Sequence, residues 1–190
     1  MTTKSNIINS PFIGLQGFHV AKLIDDPSGG TATYEETIAI PHIQGVQIKA
    51  TNSSVSLYAD NQSIDSANVT SEYELTFNIA SLPLEYKALL LGHEIKDGVI
   101  TASKDDVVPY FAVMFESTKR NGKKRFCKFL KVQFSEPDEN PKTKEASIAY
   151  NTPTLSAKVI YRTSDGAAYK QADEEAGYTE EVAGTWYAEV

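Results

Sequence analysis

Residues 72–94 read EYELTFNIASLPLEYKALLLGHE, and this stretch decides the fold class. From 72 to 79 the side chains alternate, with Tyr73, Leu75, Phe77 and Ile79 on one side and Glu72, Glu74, Thr76 and Asn78 on the other. A period of two this regular predicts a half-buried antiparallel strand. The period then changes. Leu82, Tyr86, Leu89 and Leu90 recur at helical spacing, with Leu84, Ala88 and Leu91 widening the stripe, which predicts a helix over 82–91 with one broad apolar face. Ser81 is placed to cap it, Pro83 suits a first turn where its missing N–H costs nothing, and Gly92 suits a left-handed stop. His93 comes next, where an imidazole can meet the last carbonyls and the negative end of the helix dipole.

Outward from this pair the chain reads as strands. Upstream they are expected over 18–24, 34–40 and 44–50, the last with Val46, Ile48 and Ala50 on one face. Val55, Leu57 and Ala59 resume the alternation, but 51–71 is mostly polar and is expected as a long hairpin tip or loop that cannot bury itself. Downstream, Asp97-Gly98 and Asn121-Gly122 are hairpin signals. Between them, 110–117 is apolar enough to be buried on both faces. Phe126, Leu130, Val132 and Phe134 are expected to share one face of a strand over 125–134. Residues 135–145, with two prolines and many charges, predict a solvated connection, and two further strands are expected over 146–150 and 155–161.

From Ser164 the pattern fades into a polar, acidic stretch that ends near Trp186 and Tyr187. That tail is either a frayed terminus or an arm whose aromatic tip docks on a neighbour, since exposed Trp and Tyr are favoured interface anchors. The sum is a mainly β protein, a β-sandwich or partly closed barrel with one flanking helix, long loops and terminal arms. One domain over 1–190 is expected, with arms at 1–14 and about 164–190.

Chemistry-bearing patterns are missing. His19, His42 and His93 are scattered, with no HxH or HExxH spacing to place two metal ligands on one face. Cys127 lies inside a strand with no partner base in the pattern, and a lone cysteine makes no internal disulfide. No phosphate-binding glycine loop and no GxSxG elbow occurs. No catalytic residue, cofactor site or metal site is predicted, and an enzyme is not expected. No run reaches the roughly eighteen apolar residues of a membrane span, and the first residues lack a signal-peptide pattern.

Formal net charge is −7, from 25 acidic and 18 basic residues, which argues against a module that grips a phosphate backbone. The charge is uneven. Lys119, Arg120, Lys123, Lys124 and Arg125 make a basic turn, while Asp173, Glu174, Glu175, Glu180 and Glu181 make the C-terminal stretch acidic. A basic hairpin tip meeting an acidic neighbour is the favoured reading of that turn, ahead of nucleic-acid binding.

Five segments in fixed order carry a family resemblance: IGLQGFHVAKL (13–23), VSLYADNQ (55–62), ELTFNIASLPLEYKALLLGHEI (74–95), NGKKRFCKFLKVQFSEPDENPKTKE (121–145) and NTPTLSAKVIYR (151–162). They resemble the major tail proteins, or tail-tube proteins, of long non-contractile-tailed bacteriophages of the siphovirus type. The resemblance implies a self-assembling virion protein without cofactor, six subunits to a ring and rings stacked into a tail tube. DNA would pass through that tube without specific binding and without a membrane. It also implies tape measure, tail terminator and distal tail proteins as partners, and assembly in the host cytoplasm. By analogy the bridging hairpin lies at 46–72. Candidate inter-subunit contacts are Tyr58, Asp60, Asn61, Lys119, Arg120, Lys123, Lys124, Arg125, Trp186 and Tyr187, and candidate lumen-facing acids are Glu72 and Glu74. A different class, the carbohydrate-binding β-sandwich module of a phage or surface adhesin, would expose aromatics on one open face, whereas most here alternate into predicted cores.

Overall fold

The computed structural model describes residues 10–59, 62–143, 150, 152–179, 185–188 and 190, with backbone alone over 55–59 and 62–67. The strand expected over 146–150 lies almost wholly outside the described residues. In chain order the elements are β1 (Phe12–Asp25), β2 (Thr33–Tyr34), β3 (Ile38–Ala39), β4 (Ile43–Ala59), β5 (Gln62–Ile79), α1 (Leu84–Leu91), β6 (Glu94–Lys96), β7 (Val99–Thr101), β8 (Tyr110–Lys119), β9 (Lys124–Phe134), β10 (Thr154–Val159) and β11 (Tyr169–Asp173). Nine strands form one sheet in the order β2-β1-β8-β9-β10-β5-β4, with β3 beside β1 and β11 beside β9. Among the described residues the sheet does not close into a barrel. It curls instead, so that Phe18 of β1 stacks on Phe77 of β5 at 4.9 Å between ring centroids although their strands are not neighbours.

The sheet's concave face is the core. Leu75, Phe77 and Ile79 are fully buried there with Phe111, Val113 and Phe115 of β8, as the alternation of 72–79 and the apolar density of 110–117 predict. Truncating a ring as enclosed as Phe77 to alanine costs about 4 kcal/mol. Leu90 and Leu91 of α1 close the core, with Leu82, Tyr86 and Leu89 partly buried against it.

The helix starts later than its apolar spacing suggests. Pro83 is the N-cap, in an extended conformation (φ −56, ψ 148), and no side chain caps it, so Ser81 does not have the expected role. The proline ring disfavours a helical Leu82, and Pro83 itself is extended at ψ 148, so Leu84 is the first helical residue. The stop is as predicted. Gly92 sits at φ 72, and the Val107 carbonyl lies where its Cβ would be, so both backbone angle and space require glycine.

Other departures have local causes. β1 begins at Phe12, which pairs with Lys119, so 12–14 belong to the sheet. The strand expected over 34–40 shrinks to two short pairings beside β1, because only the flanking Ala32 and Ile40 are buried. On β9, Phe111 faces Val132 and Val113 faces Phe129, so one extra residue of β9 stands opposite Ala112. That bulge reverses the alternation. Val132 and Phe134 point into the core, whereas Phe126 and Leu130 lie outside that cluster, correcting the single face expected for them. The polar tail also holds β11, paired with β9 from Tyr169↔Phe129 to Asp173↔Arg125.

Candidate assembly surfaces

Cys127 is buried, and burial pushes its thiol up to about 11, away from thiolate chemistry. Among the described residues no cluster of His, Cys, Asp and Glu has metal-binding geometry, and no helix is long and apolar enough to cross a membrane.

The basic turn between β8 and β9 meets its acidic partner inside the same chain. Asp173 starts a single turn of 3-10 helix over Glu174–Ala176 by accepting from the Glu175 N–H. This acidic turn lies against the basic one. Lys119 is only 1% exposed, and its ammonium donates to Asp173 at 2.6 Å and to Glu175 at 2.5 Å. Burial works against the charge on Lys119, but the two carboxylates outweigh it and hold the lysine pKa above its ordinary value. The Arg125 Nε donates to Asp173 at 2.7 Å, the Lys124 N–H to Glu174 at 2.7 Å, and Asn121 to Glu175. Lys124 also pairs with the buried Glu116 at 2.7 Å. Lys119, Lys124 and Arg125 therefore spend their charge within the chain. Arg120 and Lys123 are exposed and have no ion pair among the described residues, which leaves them as the outward part of this turn.

The C-terminal aromatics also sit on their own chain. Trp186 packs on Phe126 at 5.9 Å and edge-on to Tyr178 at 5.7 Å, with the Lys128 ammonium 4.6 Å from its ring centroid. The Tyr187 hydroxyl donates to Glu116 at 3.2 Å and lies where a Cβ on Gly17 would be, so glycine makes room for that ring. Ala21, Ala112 and Met114, on the outer face of β1 and β8, are covered by Tyr34, Tyr187 and Val190. Residues 180–184 lie outside the described residues.

The hairpin of β4 and β5 is a long projection. Its strands pair from Ile43↔Ile79 to Ala59↔Gln62, whereas β10 pairs with β5 only from Tyr73 to Asn78. Among the described residues no third strand pairs with 52–59 or 62–72, so a two-stranded arm leaves the sheet, roughly 25 Å long at about 3.3 Å per residue. Asp60 and Asn61 lie outside the described residues, and Tyr58 is placed by its backbone pairing with Ser63. At the arm's root Glu72 pairs with Lys158 and Glu74 with Lys49, both at 3.6 Å. The two acids share their face with two lysines on adjacent strands, so that face is polar and mixed in charge.

A further tie was not visible in the sequence. His93 is held between Asp106 at 2.6 Å on Nδ1 and Glu136 at 2.7 Å on Nε2. Glu136, then Asp106, raises the imidazole pKa against the opposing effect of burial. Lys87 of α1 reaches Glu136 and Glu139 at 3.5 and 3.2 Å. The connection over 135–139 is therefore strapped to the helix end. Spacing alone gave no signal for it, although His93 and Glu136 fall in two of the segments that carry the family resemblance.

These features describe a mainly β protein with a projecting arm and several ionic ties between its strands and loops. Residues 35–183 match the phage tail tube protein family, and the chain belongs to that family. It is a structural component of a phage tail. Similar solved structures include the tube-terminating cap of the anti-feeding prophage, 10% identical with a TM-score of 0.48, covering 91% of this chain and 99% of that one. A six-fold symmetrised cryo-EM structure of the anti-feeding prophage baseplate is 10% identical with a TM-score of 0.44, covering 87% and 97%. At that level of similarity no function is carried over from them. No curated protein sequence matches the chain.

Proposed function

We propose that this chain polymerises through its β4–β5 arm into stacked hexameric rings that form the tail tube, through which DNA passes on infection. Family membership supports the tube, and the carrying observation is the arm itself. A lone two-stranded hairpin is marginal in water, so one this long that leaves its sheet gains order by packing on another chain. The simplest such chain is a second copy, and a head-to-tail contact repeated by rotation closes into a ring. Tape measure, tail terminator and distal tail proteins would then meet the tube's interior and ends, in the host cytoplasm before the virion is complete.

The outer face of β4, β5 and β10 suits a conduit. It carries Gln47, Lys49, Glu72, Glu74, Thr76, Ser156 and Lys158, with the charges balanced in pairs. Together with the chain's negative charge, such a face neither grips a phosphate backbone nor offers base-stacking rings. The reading includes no catalytic step.

Deletion of 52–68 tests it. The shortened chain is expected to keep native-like circular dichroism while electron microscopy shows no rings or tubes at concentrations where the full chain forms them. Normal tubes from the deletion would show that the arm is not the bridging element.

A further inference from the structure

The arm leaves the sheet through a built joint. Thr51 pairs with Glu72 and Asn52 with Thr70, so Ser71 is an extra residue on β5 at the arm's root. Such a bulge bends its strand and re-aims the residues beyond it. Its hydroxyl donates to the Thr51 carbonyl at 3.2 Å, and the Thr70 hydroxyl donates to the Asn52 side chain at 2.8 Å, so both strands are tied across the bend.

Two neighbouring elements that do not enter the arm reach its root. β10 stops at Val159 opposite Tyr73, and among the described residues no strand lies on the outer edge of β5 from Glu72 onward. Just past that end, the Tyr161 hydroxyl donates to the Thr70 carbonyl at 3.0 Å, replacing the missing strand at one point. Tyr169, the first residue of β11, meets Tyr73 edge-on at 5.3 Å with an interplanar angle of 86°, and it also touches the core ring of Phe129 at 5.7 Å. The arm's root is therefore referenced both to the sheet edge and to the core.

We propose that the Ser71 bulge, with Tyr73, Tyr161 and Tyr169, is a joint that holds the arm at a fixed angle to the body and so positions it for a second copy of this chain. The positioning part rests on the arm being the assembly element. A hairpin free to swing must be oriented in each encounter, and apparent affinity falls in proportion to the time spent in the wrong orientation. Tyr161 contributes through its hydroxyl, and Tyr169 contributes through its ring and through a hydroxyl that faces Tyr73.

Nitroxide labels at Ser56→Cys on the arm and Asn78→Cys on the body, in the full chain, report the arm's angular spread as a distance distribution. Cys127 is buried and does not compete for label. The parent is expected to give one narrow distribution, broadened about twofold by Tyr161→Phe with Tyr169→Leu, with circular dichroism unchanged. Tyr161→Phe alone is expected to broaden it partly, which decides the matter if the double variant does not fold. The concentration at which tubes form is expected to rise about tenfold in the double variant. An unchanged distribution in Tyr161→Phe, or in a folded double variant, overturns the joint. Broadening with normal tube formation supports the joint and counts against the arm as the bridging element.

Discussion

Two of the polar hairpin ends of this molecule have opposite surroundings. The β8–β9 turn is crowded with cations, and three of them are neutralised by the turn at 173–175 or by Glu116. The β4–β5 arm has no basic residue between Lys49 and Lys87, and beyond its root, among the described residues, only its own two strands pair with each other. One hairpin is consumed in holding the chain together, and the other is left over. The conspicuous charge run is thus the less available surface, because opposite charge elsewhere in the same chain reaches it first.

That contrast can be broken at the tied end. Lys119→Ala is expected to cost about 3 kcal/mol in urea unfolding, since it removes a buried stem, leaves Glu175 without a cation and leaves Asp173 with Arg125 alone. Arg120→Ala and Lys123→Ala, one and four residues further along, are expected to shift stability by less than about 0.5 kcal/mol. Equal costs at all three positions would mean that the turn is not divided into inward and outward charges.

A smaller effect is expected at the helix end, where another ionic tie lies. The folded His93 pKa is raised, so its contribution is fully present below the ordinary histidine value of about 6.5 and is lost as pH rises through the higher folded value. Glu136 and Asp106 have lowered pKa values, and their contributions are present above the ordinary carboxylate range and lost as pH falls through the folded values. The stability gap between the parent and His93→Gln is therefore expected to peak at about 1 kcal/mol between roughly pH 5 and 6.5, a modest size because Glu136 is largely exposed. Thermal unfolding across pH 4 to 9 measures it, and a gap that grows above pH 8 would reverse the assignment.

The smallest effect is expected on the arm. Asn52→Ala removes an exposed side-chain hydrogen bond with Thr70 and should change unfolding by less than about 0.5 kcal/mol. A loss as large as that of Lys119→Ala would show that the arm belongs to the cooperative fold and would remove the contrast between the two hairpins.

How much of the fold the sequence disclosed depends on the range of each signal. The alternation of 72–79, the left-handed stop at Gly92 and the Asp97-Gly98 turn, with both residues at positive φ, are local and were legible. The β9 bulge was not, because Phe126 and Leu130 keep the spacing of a regular strand and only β8 fixes where the extra residue falls. β11 was hidden because most of its side chains are exposed and leave no alternation to read. The destination of Lys119 was half legible. Two blocks of opposite charge stand in the sequence, but spacing cannot say whether they meet within one chain or between two. His93 shows the same limit, since its partners come from two separate loops.

The latch on Lys119 also has a consequence in time. Its acceptors lie 54 and 56 residues downstream. At about 5–20 residues per second, a ribosome needs roughly 3 to 11 seconds to travel from the lysine to those acids. The two strands of the arm, by contrast, are made one directly after the other and can pair at once. Throughout that interval the corner of β8 and β9 must keep its ammonium in water and cannot close. The chain emerges with both strands of its outward limb already made and its inward knot untied, and the knot tightens only once residues 173–175 have been made.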